Sequence, residues 1–291
     1  MIIFRIALLA VLLVLPLSAE KYPSQVKKSV TFLFAKDTSG RLTVQGTGFF
    51  VLMKADQGPD TATFGYLVTT RTALQRTGGS MLDSVYLRIN RKDGSSDTLL
   101  VLLRVNGEPR FFPHPDSTVD LVVVPAFPDL NRYDLLYTPA SMIVTSEYFA
   151  RERVTEGTPL FHVGMLEEQL GTFRNIPAVR FGTIVQFSEE KYRWNGMMSE
   201  FYVMEPGTSA GSNGAPVFHY VEAAADTSGA PRPARLALCG IIAGPFGNTH
   251  SGRSAVRVTP SQKLNELLLS PAVSGERDKE FIRLRTNAGK R

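Results

Sequence analysis

Short apolar runs, broken at regular intervals by polar, glycine- and proline-bearing stretches, dominate the chain and predict β-strands separated by turns. In the first half these runs are Ser29–Phe34, Gly46–Lys54, Phe64–Thr70, Ser84–Asn90, Leu99–Val105 and Asp120–Ala126. In the second they are Thr158–Gly164, Ala178–Phe187, Glu200–Met204, Ala215–Val221, Leu236–Ala243 and Ser254–Val258. Two sets of short strands with almost no helix between them predict an all-β chain of two packed six-stranded antiparallel barrels. Residues 127–157, with Pro128, Pro139 and a helical turn expected around Ser146–Arg151, read as the connector. One helix is expected near the end. Thr259-Pro260-Ser261 offers an N-cap with proline at the first helical position, and Leu264, Leu267 and Leu268 then recur on one face. The domain plan is therefore a first barrel over 20–126, a second barrel with its closing helix over 158–270, and a weakly ordered basic tail over 271–291. Residues 222–234 read as a low-complexity loop.

The extreme N-terminus follows a different pattern. Arg5 precedes an unbroken apolar run from Ile6 to Leu15, and Pro16-Leu17-Ser18-Ala19 supplies small residues for cleavage. This is the layout of a secretory signal peptide over 1–19, too short to span a bilayer, so the mature chain is expected to be exported to a periplasm or beyond with no stable membrane anchor. A retained signal anchor is the alternative.

Composition narrows the class. The 291 residues are 43% hydrophobic and 20% charged, with 32 Lys and Arg against 27 Asp and Glu, which excludes disordered and collagen-like chains. A single cysteine, Cys239, excludes a disulfide scaffold and reads as a buried small hydrophobe. The formal charge of +5 and a pI near 9.3 invite a nucleic-acid partner. The placement of the charge removes that reading: one cation sits in the signal, and 276–291 carries six basic and three acidic residues. That leaves 25 basic and 24 acidic residues over 20–275.

Four segments carry chemistry. They are Gly46-Thr-Gly-Phe-Phe50; Gly65-Tyr-Leu-Val-Thr-Thr-Arg-Thr72; His114-Pro-Asp-Ser-Thr-Val-Asp120-Leu-Val-Val-Val124; and Pro206-Gly-Thr-Ser-Ala-Gly211-Ser-Asn213-Gly-Ala-Pro216-Val-Phe218. In order and spacing they resemble the trypsin-like serine peptidases, particularly the bacterial exported branch. That family's segments run Gly-Thr-Gly-Phe, Leu-Val-Thr-x-x-His, Asp-Leu/Val-Ala-Val and Gly-x-Ser-Gly-x-Pro-Val. The likeness covers roughly 28–270, including Leu238-Cys-Gly-Ile-Ile-Ala-Gly244 as the strand lining the substrate cleft.

The resemblance implies a triad of histidine, aspartate and serine, and only the aspartate is present. Thr72 stands at the histidine position, Asp120 matches, and Asn213 stands at the serine position. Threonine has no group that titrates near neutrality and an asparagine amide is a poor nucleophile, so the expected product is a pseudopeptidase. By the same resemblance Gly211 and Asn213 form the oxyanion loop. Ile242, Ala243 and Gly244 form the strand edge that could pair with an extended polypeptide, and Gly207 is the uncharged floor of the specificity pocket. Tyr192, Trp194, Phe201 and Tyr202 flank the expected cleft. The alternative is an active endopeptidase with a relocated pair drawn from His114, Ser209 and Ser212; a purely structural role through the barrel exterior is a third. No metal-ligand spacing and no cofactor motif are present, and the expected partner is a polypeptide or protein in the cleft.

Overall fold

The computed structural model describes residues 24–57, 60–187, 190–194, 197–205, 211–225, 231–246 and 255–288. The expected signal at 1–19, and Gly207 and Ser209, lie outside the described residues.

The first half folds around one main sheet, with a separate two-residue pairing of Arg104–Val105 with Glu108–Pro109 beside it. Its strands are β1 (Val30–Lys36), β2 (Leu42–Gln57), β3 (Asp60–Thr69), β4 (Ser84–Asn90), β5 (Ser96–Leu102), β6 (Phe112–Pro113), β7 (Val122–Pro125) and β8 (Thr138–Pro139). They follow the order β5-β4-β1-β2-β3-β7-β6, with β8 pairing β2 in parallel. Six strands closing into a barrel were expected. Eight form instead, with β5 and β6 at the two ends of the order. The extra strands are two-residue pairings in stretches that carry no apolar run.

The two faces of this sheet are covered to different extents along its strands. On β4, Val85, Leu87 and Ile89 point inward while Ser84, Tyr86, Arg88 and Asn90 point out, the period-two pattern of a strand with one wet face. On β2, β3 and β7 the alternation instead separates two cores. Phe50, Leu67, Val122 and Val124 enter the core of the first half, while Phe49, Val51, Val68 and Val123 enter a second core shared with the other half. Burial on both faces explains why Leu121–Val124 reads as one continuous apolar run.

The second half is a closed antiparallel barrel, as expected. Its strands are β9 (Pro159–Gly164), β10 (Ala178–Gln186), β11 (Tyr202–Glu205), β12 (Pro216–Val221), β13 (Arg235–Phe246) and β14 (Ala255–Pro260), in the order β9-β10-β11-β14-β13-β12. The connector holds α1 (Ser146–Glu152), and the segment expected as a loop holds a two-residue pairing of Ala224–Ala225 with Pro231–Arg232. Tyr202, expected beside the cleft, is buried in the barrel interior with Ile184, Met204 and Cys239. The Cys239 thiol is pushed up to about 12 by burial.

Two helices close the molecule. β14 runs through Pro260, so α2 (Ser261–Leu268) starts one residue later than the proline motif suggested. Thr259 does not cap it, and the Ser261 hydroxyl donates to the Val144 carbonyl at 2.7 Å. The expected weakly ordered tail is in fact α3 (Pro271–Ala288). Val273, Arg277 and Phe281, spaced by four, are buried on one face, a stripe too sparse to stand out among the helix's charges. Arg277 donates to the Leu268 carbonyl at 2.7 Å, satisfying an acceptor that the end of α2 leaves open, and lines one cavity with Tyr66 of β3. The chain's end is thereby pinned to its first half.

Candidate functional site

Thr72 opens the single helical turn that follows β3, and the buried Ala73 and Leu74 fix that turn in the first core. Asp120 lies between Val119 and Leu121, both buried in the shared core, so its side chain projects the other way, toward Thr72. The two meet through a pair of hydrogen bonds. The Thr72 hydroxyl donates to one carboxylate oxygen at 2.7 Å and its backbone N–H to the other at 3.0 Å. Thr72 is exposed and Asp120 half-buried. A threonine is too short to cover the carboxylate as an imidazole would, and solvent access spares Asp120 the desolvation cost of a buried charge.

Asn213 reaches this place from the second half. Its carbonyl accepts the Thr47 N–H at 2.8 Å. Gly46 sits at the junction: a methyl built on it would lie 2.7 Å from the Asn213 carbonyl oxygen and 3.5 Å from the Ala73 methyl. Gly46 thus brings the Asn213 carbonyl close to Ala73, the neighbour of Thr72, at the seam between the halves. Gly211 (φ +87°) and Gly214 (φ +86°) bracket Asn213 in a conformation that favours glycine.

Thr47, which sequence reasoning passed over as one letter of a glycine motif, fastens the seam. Besides its N–H bond to Asn213, its hydroxyl donates to the Gly211 carbonyl at 2.8 Å and accepts the Met165 N–H at 2.9 Å. Its carbonyl accepts the Thr69 hydroxyl at 2.8 Å. Every one of these partners except Thr69 belongs to the second half.

The cleft strand departs from the expectation of an open edge. Ile242 is consumed by the barrel, its N–H donating to Ala215 and its carbonyl accepting from Gly214. The Ala243 carbonyl accepts Arg257 Nη2 at 3.0 Å and the Pro245 carbonyl accepts Arg257 Nε at 3.4 Å. Arg257, also missed in the sequence, crosses from β14 over Gly244 (φ +123°). The point where a methyl on Gly244 would stand is 3.2 Å from Arg257 Nη2, 3.6 Å from Asn213 Oδ1 and 4.0 Å from Asn213 Nδ2. The guanidinium lies 5.8 Å from the Phe201 ring centroid, and Phe201 stacks on Tyr192. Burial draws its pKa below the ordinary value while the nearby Asp120 charge opposes the shift. The available signal was an arginine in the otherwise apolar run Ala255–Val258.

Two of the relocation candidates, Ser212 and His114, fall among the described residues, and each has other partners. Ser212 is 2% exposed and its hydroxyl faces the Met165 carbonyl at 3.4 Å. His114 is buried, with Nδ1 accepting the Asp116 N–H at 3.1 Å and Nε2 3.5 Å from Glu266 of α2.

No protein-family model matches the chain. No curated protein matches it. Among solved structures, it is similar to the crystal structure of the MamO protease domain from Magnetospirillum magneticum in its apo form, with a TM-score of 0.52 at 14% identity, over 85% of this chain and 99% of that one. With the closed six-stranded barrel and the second sheet packed against it, that likeness shows that the chain has a chymotrypsin-like fold.

Proposed function

We propose that this protein is an exported, catalytically silent member of the trypsin-like lineage that binds polypeptide in the seam between its halves. One observation carries the silent half of the reading: Thr72 fills the histidine position and spends both its hydroxyl and its N–H on Asp120. Peptide-bond hydrolysis on this fold needs a base that takes a proton from a nucleophile and an acid that returns it to the leaving amine. Thr72 can do neither, and Asn213 offers no nucleophile for such a base to activate.

What supports binding is the shape that remains. Glycines hold the loop around Asn213, and Thr47 ties that loop to the first sheet, so the seam keeps a fixed geometry without chemistry to perform. Export rests on the signal-like 1–19; among the described residues no helix is long and apolar enough to cross a membrane.

Two measurements test the reading. Incubation of the mature protein with a fluorophosphonate probe should give no covalent adduct; labelling of Ser209 or Ser212 would overturn the claim of silence. Equilibrium binding against an extended-peptide library should find sequences that bind tighter than millimolar, and finding none removes the binding claim.

A further inference from the structure

We infer that the cavity between the first sheet and α3 is a second binding site, separate from the seam, and that it takes a small aromatic carboxylate. The cavity has a volume of about 450 Å³, within the range of small-molecule sites, and none of Thr72, Asp120 and Asn213 lines it. β3 and the end of β7 make one wall, and α3 contributes the other. Phe64, Tyr66 and Phe127 supply the aromatic part of the lining. The Phe127 ring lies against Gly65, where a methyl would stand 2.5 Å from its Cδ2, and it stacks on Tyr137 with 5.3 Å between ring centroids. A ring that is 57% exposed is therefore held in place at the cavity instead of folding into the core.

The charge that selects the ligand is Arg277. It is 8% exposed and lines the cavity from α3. One of its N–H donors goes to the Leu268 carbonyl at 2.7 Å, which leaves others to give. Beside it stands the Tyr66 phenol, which burial pushes above its ordinary range while Arg277 pulls the other way. Among the described residues Arg277 has no carboxylate in ion-pair contact, since the nearby Glu280 is bonded to Arg283 at 2.6 Å. A cation this deeply buried on neutral partners creates a demand for an anion. Arg110, exposed on the opposite wall, brings a second guanidinium to the same cavity. Guanidinium and carboxylate match in planar geometry, and the bond between them is stronger than one between neutral groups. Glu276 would favour an ammonium instead, but it is only half-buried, so water screens it and the buried cation decides.

The test is calorimetric titration of the protein with naphthoate, its neutral amide naphthamide and the cation naphthylmethylamine. Naphthoate should bind about tenfold tighter than the amide, and the amine more weakly than either. Equal binding of naphthoate and naphthamide, tighter binding of the amine, or no binding of naphthoate at millimolar concentration overturns the inference. Two variants place the site. Thr63→Trp brings an indole into the cavity from an exposed position on β3 and should abolish naphthoate binding with an unchanged circular dichroism spectrum. Arg277→Gln should reduce naphthoate to the affinity of the amide; if that change releases α3, the Thr63→Trp result decides alone. Naphthoate binding that survives Thr63→Trp overturns the inference, as does a carboxylate preference that survives Arg277→Gln. A ligand touching both walls should also slow trypsin at Arg283 and Arg285, and unchanged cutting under saturating naphthoate would put the bound molecule elsewhere and overturn the inference. None of these outcomes bears on the polypeptide-binding reading of the seam.

Discussion

Thr47 and Asn213, from opposite halves of the chain, are joined by a backbone hydrogen bond of 2.8 Å, and the Thr47 hydroxyl binds the same loop two residues earlier at Gly211. Thr47 is fully buried. Thr47→Val keeps the shape and removes the hydroxyl, leaving the Met165 N–H and the Gly211 carbonyl short of a partner. At about 1–3 kcal/mol for each buried group left unpaired, the variant should lose about 2–6 kcal/mol of stability, read from its urea midpoint. A loss below 1 kcal/mol would mean that water reaches the seam.

Gly214→Ala should be more severe. Its β-carbon would lie 2.1 Å from the Thr47 carbonyl oxygen and 2.3 Å from the Thr69 hydroxyl, neither of which can withdraw without breaking the seam. The positive φ adds strain of about 1 kcal/mol. The expected result is loss of soluble protein, whereas Gly78→Ala, with open space around it and an equally positive φ, should fold.

On the proposed reading, the triad positions can be refilled by design. Thr72→His with Asn213→Ser places base and nucleophile beside an aspartate whose contact with position 72 already exists. The double variant should hydrolyse p-nitrophenyl acetate faster than buffer, and each single variant should not, because the members act as a unit. A silent double variant would locate a further defect in the oxyanion loop or the specificity pocket.

Acid should weaken the fold through His162. This side chain is 1% exposed, neither ring nitrogen has a hydrogen-bond partner among the described residues, and burial, with a smaller push from Arg180, lowers its pKa to about 3. The unfolded chain takes up that proton near pH 6.5, so between about 3 and 6.5 the unfolded state holds more protons and stability rises with pH. Moving from pH 7 to pH 5 should cost about 2 kcal/mol from this group alone. His162→Phe should show a correspondingly flatter difference between urea midpoints at the two pH values.

Phe281→Ala tests the docking of α3. Phe281 is 2% exposed at the end of the buried stripe, and its truncation should remove about 3 kcal/mol of local packing. Trypsin should then cut the exposed Arg283 and Arg285 faster than in the wild-type protein, with the first sheet and the barrel left intact.

The strands were legible because their burial is simple. Val85, Leu87 and Ile89 alternate with polar neighbours, and Leu121–Val124 is apolar throughout because both sides are covered. The proposed triad positions rest on local marks, the glycine spacing around Asn213 and the apolar run after Asp120, and the paired hydrogen bonds of Thr72 to Asp120 came with the structure. Long-range partners left no local mark. Nothing adjacent to Thr47 in sequence announces four hydrogen bonds, mostly to residues far along the chain. Arg257 has an unremarkable neighbourhood until β13 and β14 are paired. α3 reads as a loose tail in sequence because its charges outnumber the stripe of Val273, Arg277 and Phe281, and the partners of that stripe, α2 and the shared core, lie outside its own segment.

The return of α3 to the first sheet alters what the connector has to do. The sheet is gripped from one side by Thr47 and the loop around Asn213, and from another by Val273 and Arg277, so the covalent link through 127–157 is a third tether on halves already held together. A single cut in that link would yield two fragments that stay associated as a nicked whole, much as a hinged box stays shut by its latch after the hinge pin is drawn.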